Sequence, residues 1–211
     1  SLRGIFVGAA PLTKAIKDDF EKKTGGRMIE GYGLTEAVTA IMANPYQGTH
    51  KVGSIGIPFS DVDMKIVSLD DGHDLAPGEL GEIALRSPTV MLGYYKNPEE
   101  TQKTIVDDWL HTGDIGYVDQ QGYLYLTDRQ SFMIVSGGVN IYPQAIEDAL
   151  ALHPGVADVA VIGVPSEEMG EDVKAVVEPA KGVEPSEALA RELIDFLRDK
   201  VARYMLHRSI D

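Results

Sequence analysis

The sequence predicts a mixed α/β and α+β fold: an α/β opening, a β-rich and barrel-like middle, and a small α+β unit at the end. Two observations carry this expectation. At both ends, short apolar runs of strand length alternate with stretches of helical spacing. Between them, short strand-like segments are separated by Asp-Gly and Pro-Gly turns. No internal period suggests a solenoid or propeller, and no low-complexity stretch interrupts the chain.

Taken in order, Ile5 to Val7 reads as a short strand ending at Gly8. After Pro11, the apolar positions Leu12, Ala15, Ile16 and Phe20 follow helical spacing, and Gly25-Gly26 ends that helix. Met28 to Glu30 is a second strand, running into GYGLTE. From about Asp61 to Leu126 the texture is strand and turn. Segments such as Met64–Val67, Glu82–Arg86 and Tyr123–Leu126 are strand-like, and Asp71-Gly72, Pro77-Gly78 and Gln121-Gly122 are the clearest turns. Beyond Arg129 the strand–helix alternation returns. Pro143 opens a helix with Ile146, Ala149 and Leu150 on one face. Ala157–Val164 and Val173–Val177 are apolar strands, and Ser186 is placed to cap a helix facing the core with Leu189, Leu193, Leu197 and Val201. The expected boundaries are 1–130 and 131–211, the first part dividing into an α/β segment 1–45 and a β-rich segment 46–130. Both ends look cut.

Composition excludes several classes of function. The 211 residues contain no cysteine, which removes disulfides, thiolate metal sites and Cys nucleophiles. The formal net charge of −14 repels polyanions, so no nucleic-acid partner is expected. Small anions remain permissible where backbone amides or placed cations meet them. No apolar run reaches the roughly 18 residues of a membrane span. A cytoplasmic location is expected, with association at a membrane surface left open for the whole protein. Of the five histidines, none has the i, i+4 spacing of a helical metal pair or neighbours a serine nucleophile in an elbow.

Four strings are candidates for chemistry. In Gly31-Tyr32-Gly33-Leu34-Thr35-Glu36, glycines flanking an aromatic allow close approach to a flat ligand. The hydroxyl and carboxylate that follow suit a phosphate oxygen and Mg²⁺. The plainer alternative is a strand-to-helix turn capped by Thr35. In HTGD, Asp114 after Gly113 is of the type that accepts ribose hydroxyls, or else it makes a simple Asx-turn. In Thr127-Asp128-Arg129-Gln130-Ser131, a guanidinium sits in a polar connector suited to rotation, or forms an ordinary surface ion pair. SGGVNIYP is a Gly-rich loop bordering a ligand channel, or a β-turn before a helix. GELGEI and GYYKNPEET read as turns between strands, without chemistry of their own.

Each string alone is weak. Together and in order, GYGLTE, GELGEI, GYYKNPEET, HTGD, DRQSFMIVSGGVNIYP and HPGVADVAVIGVP resemble the adenylate-forming superfamily of acyl-CoA synthetases, luciferases and peptide-synthetase adenylation domains. The wording is most similar to fatty-acyl and related acid–CoA ligases. The resemblance runs from about Gly8 to the end of the chain. It implies the latter part of a large AMP-binding N-terminal domain, including its β-rich subdomain, then a truncated C-terminal domain. It also implies a two-step reaction: an acid and ATP give an acyl-adenylate and pyrophosphate, and the CoA thiol then displaces AMP. The implied partners are ATP, Mg²⁺, CoA and a carboxylic acid, with a fatty acid favoured and an aryl or other small acid the rival. A non-catalytic nucleotide- or acyl-binding relative is the alternative from another class.

By the same resemblance, Gly8, Ala9, Ala10 and Pro11 line the adenine and acyl pocket, and Tyr32, between Gly31 and Gly33, stacks on adenine. Thr35 contacts the α-phosphate and Glu36 coordinates Mg²⁺. Asp114 and Arg129 hold the ribose hydroxyls, Ser131 is the hinge, and Gly137 and Gly138 abut the pantetheine arm. The family's phosphate loop and C-terminal lysine have no counterpart among these residues, so the chain by itself is expected to be inactive. Three positions depart from the family pattern: Phe132 where Asp is usual, Ala145 where Glu is common, and Met205-Leu206-His207 in place of Lys-x-Pro.

Overall fold

Strand β1 (Gly4–Val7) runs parallel to β2 (Arg27–Gly33), and helix α1 (Lys14–Thr24) connects them. The computed structural model describes residues 2–8, 12, 14–202, 205, 209 and 210. It divides into two units, Ser1–Leu126 and Thr127–Asp211.

In the first unit, β3 (Ala40–Ala43) and β4 (Ile57–Pro58) extend the opening sheet in the order β1-β2-β3-β4, with antiparallel pairing after the first pair. The helix fits the α/β opening, and Phe20 is half-buried as expected, but the inward face is rotated away from Ile16. Ile16 is 56% exposed. Lys17, Phe20 and Glu21 are the half-buried positions instead. Glu21 explains the rotation. Its carboxylate accepts the Met28 amide at 2.9 Å, at the start of β2, and pairs with Lys17 at 2.7 Å. A helix that must present Glu21 to the sheet cannot also bury Ile16, one residue away from Lys17 on the wheel.

The second sheet of this unit is a curled antiparallel array. Its order is β5 (Asp63–Val67), β6 (Gly81–Arg86), β8 (Trp109–Val118) and β7 (Ile105–Val106), with β9 (Leu124–Arg129) also paired to β8. The two sheets share one core, built from Tyr32, Ile41, Met42, Ile55, Ile66, Ile83, Leu85, Leu110 and Leu124. Ser54, fully buried, ties them together by donating its hydroxyl to the Leu124 carbonyl at 2.7 Å. One element differs from the expectation. Pro98–Thr104 is a helix, α2, not a turn between strands. Its signals are local: the Asn97 side chain accepts the Glu100 amide, Pro98 occupies the first turn, and Glu99 and Glu100 favour the positive end of the helix dipole.

Glu30 on β2 is 4% exposed. One carboxylate oxygen accepts the Leu12 amide at 2.9 Å, while the other has no hydrogen-bond partner. Burial raises its pKa above the usual carboxylate range, against a smaller lowering by the Leu12 amide. Because the folded value lies above the unfolded one, the native state gains stability from Glu30 at pH below the unfolded value and loses it as pH rises through the folded value. Glu30→Gln cannot ionise and keeps the acceptor for Leu12. It is expected to raise the thermal midpoint by about 2–4 °C at pH 7.5, with the difference closing near pH 4. Calorimetric scans at the two pH values measure this, and equal midpoints at pH 7.5 would remove the buried-charge account.

The second unit is an antiparallel sheet in the order β11 (Val139–Ile141), β10 (Ile134–Ser136), β13 (Gly170–Pro179) and β12 (Val156–Ser166). A short strand, β14 (Ser209–Ile210), runs parallel to β13. Helices α3 (Pro143–Leu150) and α4 (Glu187–Leu197) close the core, in which Ile134, Ile141, Ile146, Leu150, Ala175, Leu193 and Leu197 are essentially inaccessible. Ser186 caps α4 as expected, its hydroxyl accepting the Leu189 amide at 3.2 Å. Strands β12 and β13 extend beyond the expected runs because their register continues to Ser166↔Gly170 at the turn. Despite its apolar composition, β12 is buried mainly at Val161, and Ile162 on the opposite face is exposed.

Candidate functional site

The GYG of GYGLTE ends strand β2, and Thr35–Ala37 forms a single 3-10 turn after it. Tyr32 pairs with Met42 of β3 and turns its ring into the core, where it is 9% exposed. Its phenol donates to Asp114 Oδ2 at 2.5 Å. Asp114, on β8, is 5% exposed. Two residues separated by 82 positions, both expected at the nucleotide, thus meet in a buried hydrogen bond. Gly8 lies against the same strand: a Cβ there would come within 2.9 Å of the Gly31 carbonyl oxygen. Ala9, Ala10 and Pro11 lie outside the described residues.

Thr35 is exposed and Glu36 half-buried. Tyr94 donates its hydroxyl to Glu36 Oε1 at 2.9 Å, and the Met91 amide donates to the Glu36 carbonyl at 2.7 Å. Burial, reinforced by the Glu36 hydrogen bond, raises the Tyr94 pKa above its ordinary value and keeps the phenol a donor. Val38, immediately after the turn, has φ 78 and ψ −64 and is the centre of a γ-turn closed by the Thr39 amide donating to the Ala37 carbonyl at 3.2 Å, a strained conformation that costs about 1–3 kcal/mol. Among the described residues no group of three or more His, Asp or Glu side chains is placed to hold a metal ion. A single half-buried carboxylate with one oxygen engaged by a phenol still fits Mg²⁺, which is held by one or two carboxylates together with substrate phosphates and water.

The HTGD string sits where the β6–β8 ladder breaks. Glu82 pairs with Ile115 and Ala84 with His111, so Thr112, Gly113 and Asp114 together face the single residue Ile83. This bulge turns Asp114 toward Tyr32. Gly113 takes φ 70, which favours glycine. Other groups replace the lost ladder bonds. The Thr112 hydroxyl donates to the Ile83 carbonyl at 2.8 Å, and the Asp114 amide donates to Thr112 Oγ1 at 3.1 Å. Glu82 uses both oxygens: Oε1 accepts the Gly113 amide at 2.9 Å, and Oε2 meets His111 Nδ1 at 2.8 Å.

The remaining candidates follow Leu126, where the second unit begins within β9. Arg129 and Ser131 are exposed, flanking and within the short turn Gln130–Phe132. Asp128 accepts the Arg129 amide at 2.7 Å and the Gln144 amide at 3.0 Å, so it caps the first turn of α3, which has no side-chain cap of its own. Phe132 is 62% exposed. Gly137 and Gly138, with φ 58 and 78, form the two-residue turn of a β10–β11 hairpin, a connection that requires positive φ at both positions. The Gly-rich string is therefore a hairpin and not only a turn preceding a helix. Glu147 accepts the Val161 amide at 2.8 Å, and burial raises its pKa above the usual carboxylate range. Ala145 is half-buried beside it on α3. Leu206 and His207 lie outside the described residues.

Two residues that touch the candidate strings are marked by the sequence only as strand or turn residues: Glu82 of GELGEI and Tyr94 of GYYKNPEET. Only their type hinted at a role, a carboxylate inside a strand and a phenol after a glycine. Their partners are 29 and 58 positions away, beyond any local pattern.

The first unit thus carries a buried Tyr–Asp pair and a Thr-Glu turn, and the second unit is an α+β fold with a Gly-Gly hairpin near its start. Residues 1–95 match the family model of the AMP-binding enzyme, and residues 145–211 match that of the AMP-binding enzyme C-terminal domain. The chain belongs to the AMP-binding enzyme family. It is 42% identical over 211 residues to a long-chain-fatty-acid–CoA ligase of Bacillus subtilis, covering all of this chain and 37% of that protein. The chain thus spans a little over a third of the length of that relative. The ATP-bound crystal structure of MatB from Rhodopseudomonas palustris superimposes with a TM-score of 0.88 at 32% identity, over 97% of this chain and 40% of that one. The anthranilate CoA ligase AuaEII, in complex with anthranoyl-AMP, superimposes with a TM-score of 0.84 at 34% identity, over all of this chain and 40% of that one.

Proposed function

We propose that this chain forms the adenine and ribose side of an ATP- and Mg²⁺-dependent acid–CoA ligase. Residues 1–130 are assigned to its AMP-binding domain and 131–211 to its C-terminal domain. The observation that supports this most directly is the buried Tyr32–Asp114 hydrogen bond, which joins the two strings expected at the nucleotide. The likeness to an ATP-bound structure and to an acyl-adenylate complex, each above 30% identity, supports it further.

In this proposal, the acid's carboxylate oxygen attacks the α-phosphorus of ATP. The bond to the bridging oxygen breaks, and pyrophosphate leaves with its electron pair. The CoA thiolate then attacks the acyl carbon, and AMP leaves with the carboxylate-derived oxygen. Neither step needs a side-chain nucleophile; both need alignment and compensated charge. Asp114 accepts the ribose hydroxyls, and Arg129 contributes on the same sugar. Tyr32, fixed by Asp114, is assigned to adenine. Thr35 donates to an α-phosphate oxygen. Glu36 holds the cation, which supplies neutralisation of phosphate charge when bound. Ser131 is the hinge between the two half-reactions, and the Gly137–Gly138 turn offers bare backbone to the pantetheine arm.

For the acid, a fatty acid is the first choice, supported by the 42% identical long-chain relative. An aromatic acid is the second, supported by the likeness to the anthranilate ligase. Acid-dependent ATP–pyrophosphate exchange by the whole protein separates them. Exchange is expected with medium- or long-chain fatty acids and little with benzoate-type acids. The reverse pattern would replace the first choice with the second, and no exchange with any acid would favour a non-catalytic binding relative.

A further inference from the structure

We infer that Glu82 is a positioning residue for Asp114, holding the ribose carboxylate at its place on the bulge of β8; this rests on the ribose role proposed for Asp114. A bulge of three residues against one loses its ladder hydrogen bonds and is free to adopt several shapes unless other groups restrain it. Here the restraint comes from the facing strand. The Glu82 carboxylate bridges the two sides of the bulge, meeting His111 before it and the Gly113 amide within it. Its side chain is only 13% exposed and that of His111 26%, so both contacts are shielded from competing water. Charge assists them: a carboxylate accepting from a backbone amide makes a shorter and stronger bond than a neutral acceptor. Gly113 contributes no side chain, and the space where its Cβ would stand is open, so packing does not hold the bulge there. Hydrogen bonds do: Glu82 holds Gly113, beside the bonds that Thr112 makes to the Ile83 carbonyl and the Asp114 amide.

A residue that fixes Gly113, next to Asp114, and His111, at the start of the bulge, without approaching the ligand acts through geometry. The consequence is specific. Releasing Glu82 leaves Asp114 present and charged but no longer aimed, so ligands with ribose hydroxyls lose their advantage over ligands without them. Any effect relayed to adenine through the Tyr32–Asp114 bond falls on both kinds of ligand alike, so the ratio of their affinities reports the ribose contact.

The test uses the 211-residue chain with AMP and 2′,3′-dideoxy-AMP, their affinities measured by ligand-observed NMR, together with amide exchange at Gly113. The wild type is expected to prefer AMP by about tenfold, as two or more hydrogen bonds to the sugar imply. Glu82→Ala is expected to reduce that preference to about twofold and to speed Gly113 exchange by at least about tenfold. Glu82→Asp retains the charge but is one methylene too short to reach both partners. It should lose most of the preference as well, which covers the case in which alanine fails to fold. Glu82→Gln is the rescue. Its amide oxygen accepts from Gly113 and its amide nitrogen donates to the other His111 tautomer, so the preference should stay within about threefold of wild type. A full AMP preference in the folded Asp or Ala variant would overturn the role of Glu82. A wild type without any AMP preference would overturn the ribose role of Asp114 itself, and the positioning role with it; the wild-type measurement alone separates these failures.

Discussion

Gly33→Ala is expected to destabilise the first unit by about 3 kcal/mol or more, enough to unfold much of it near room temperature. A Cβ at Gly33 would stand 1.4 Å from the Thr39 carbonyl oxygen, 2.3 Å from its carbon and 2.8 Å from the Ala40 Cα. All three are backbone atoms, and no rotamer change can relieve them. The β2–β3 register shifts between Tyr32 and Gly33, so the close approach belongs to the bend that leads into the Thr35–Glu36 turn. Gly72→Ala is the control. Its Cβ would meet nothing within 4 Å, and the only cost is φ 74, about 1 kcal/mol. Urea unfolding of the two variants measures the contrast. A Gly33→Ala midpoint close to that of Gly72→Ala would show that β3 can move aside and that the bend is not rigid.

Asp114→Ala is the second large effect, and it acts on stability and ligand together. With the carboxylate gone, the buried Tyr32 hydroxyl has lost its acceptor, a loss worth about 1–3 kcal/mol. The ribose hydroxyls lose theirs too. AMP affinity is expected to fall by about tenfold or more, and in the whole protein the ATP requirement should rise in proportion. A cycle of Asp114→Ala with Tyr32→Phe separates the two contributions. The stability effects should couple by about 1 kcal/mol, because each substitution removes the same bond. An unchanged ATP requirement in the Asp114→Ala protein would remove Asp114 from the ribose role while leaving the Tyr32 coupling intact.

Much of the fold was legible because the signals are local. The strand–helix–strand opening, the turn-punctuated middle, α3 behind Pro143 and α4 behind Ser186 all follow from periodicity and capping over a few residues. Helix α2 and the β10–β11 hairpin were also within reach, through Asn97-Pro98 and Gly137-Gly138, but were absorbed into longer strings read as loops. The inward face of α1 was not legible. The apolar spacing pointed to Ile16 as well as Phe20, and a hydrogen bond from the Met28 amide to the Glu21 carboxylate, across the turn that follows the helix, decided otherwise for Ile16.

The candidate residues divide in the same way. Sequence by itself determined the kinds of group present and their order: an aromatic between glycines, a Thr-Glu pair, an Asp after a Gly, an Arg in a connector, and with them the AMP-binding family. Only the tertiary structure decided that Tyr32 would bond Asp114, that Tyr94 would hold Glu36 and that Glu82 would brace the bulge. The physical reason is the range of the forces that matter. Propensity and periodicity act between neighbours and leave a trace in any short window. A buried hydrogen bond between strands is made by whichever groups the packed sheets bring within about 3 Å, and no spacing along the chain records that.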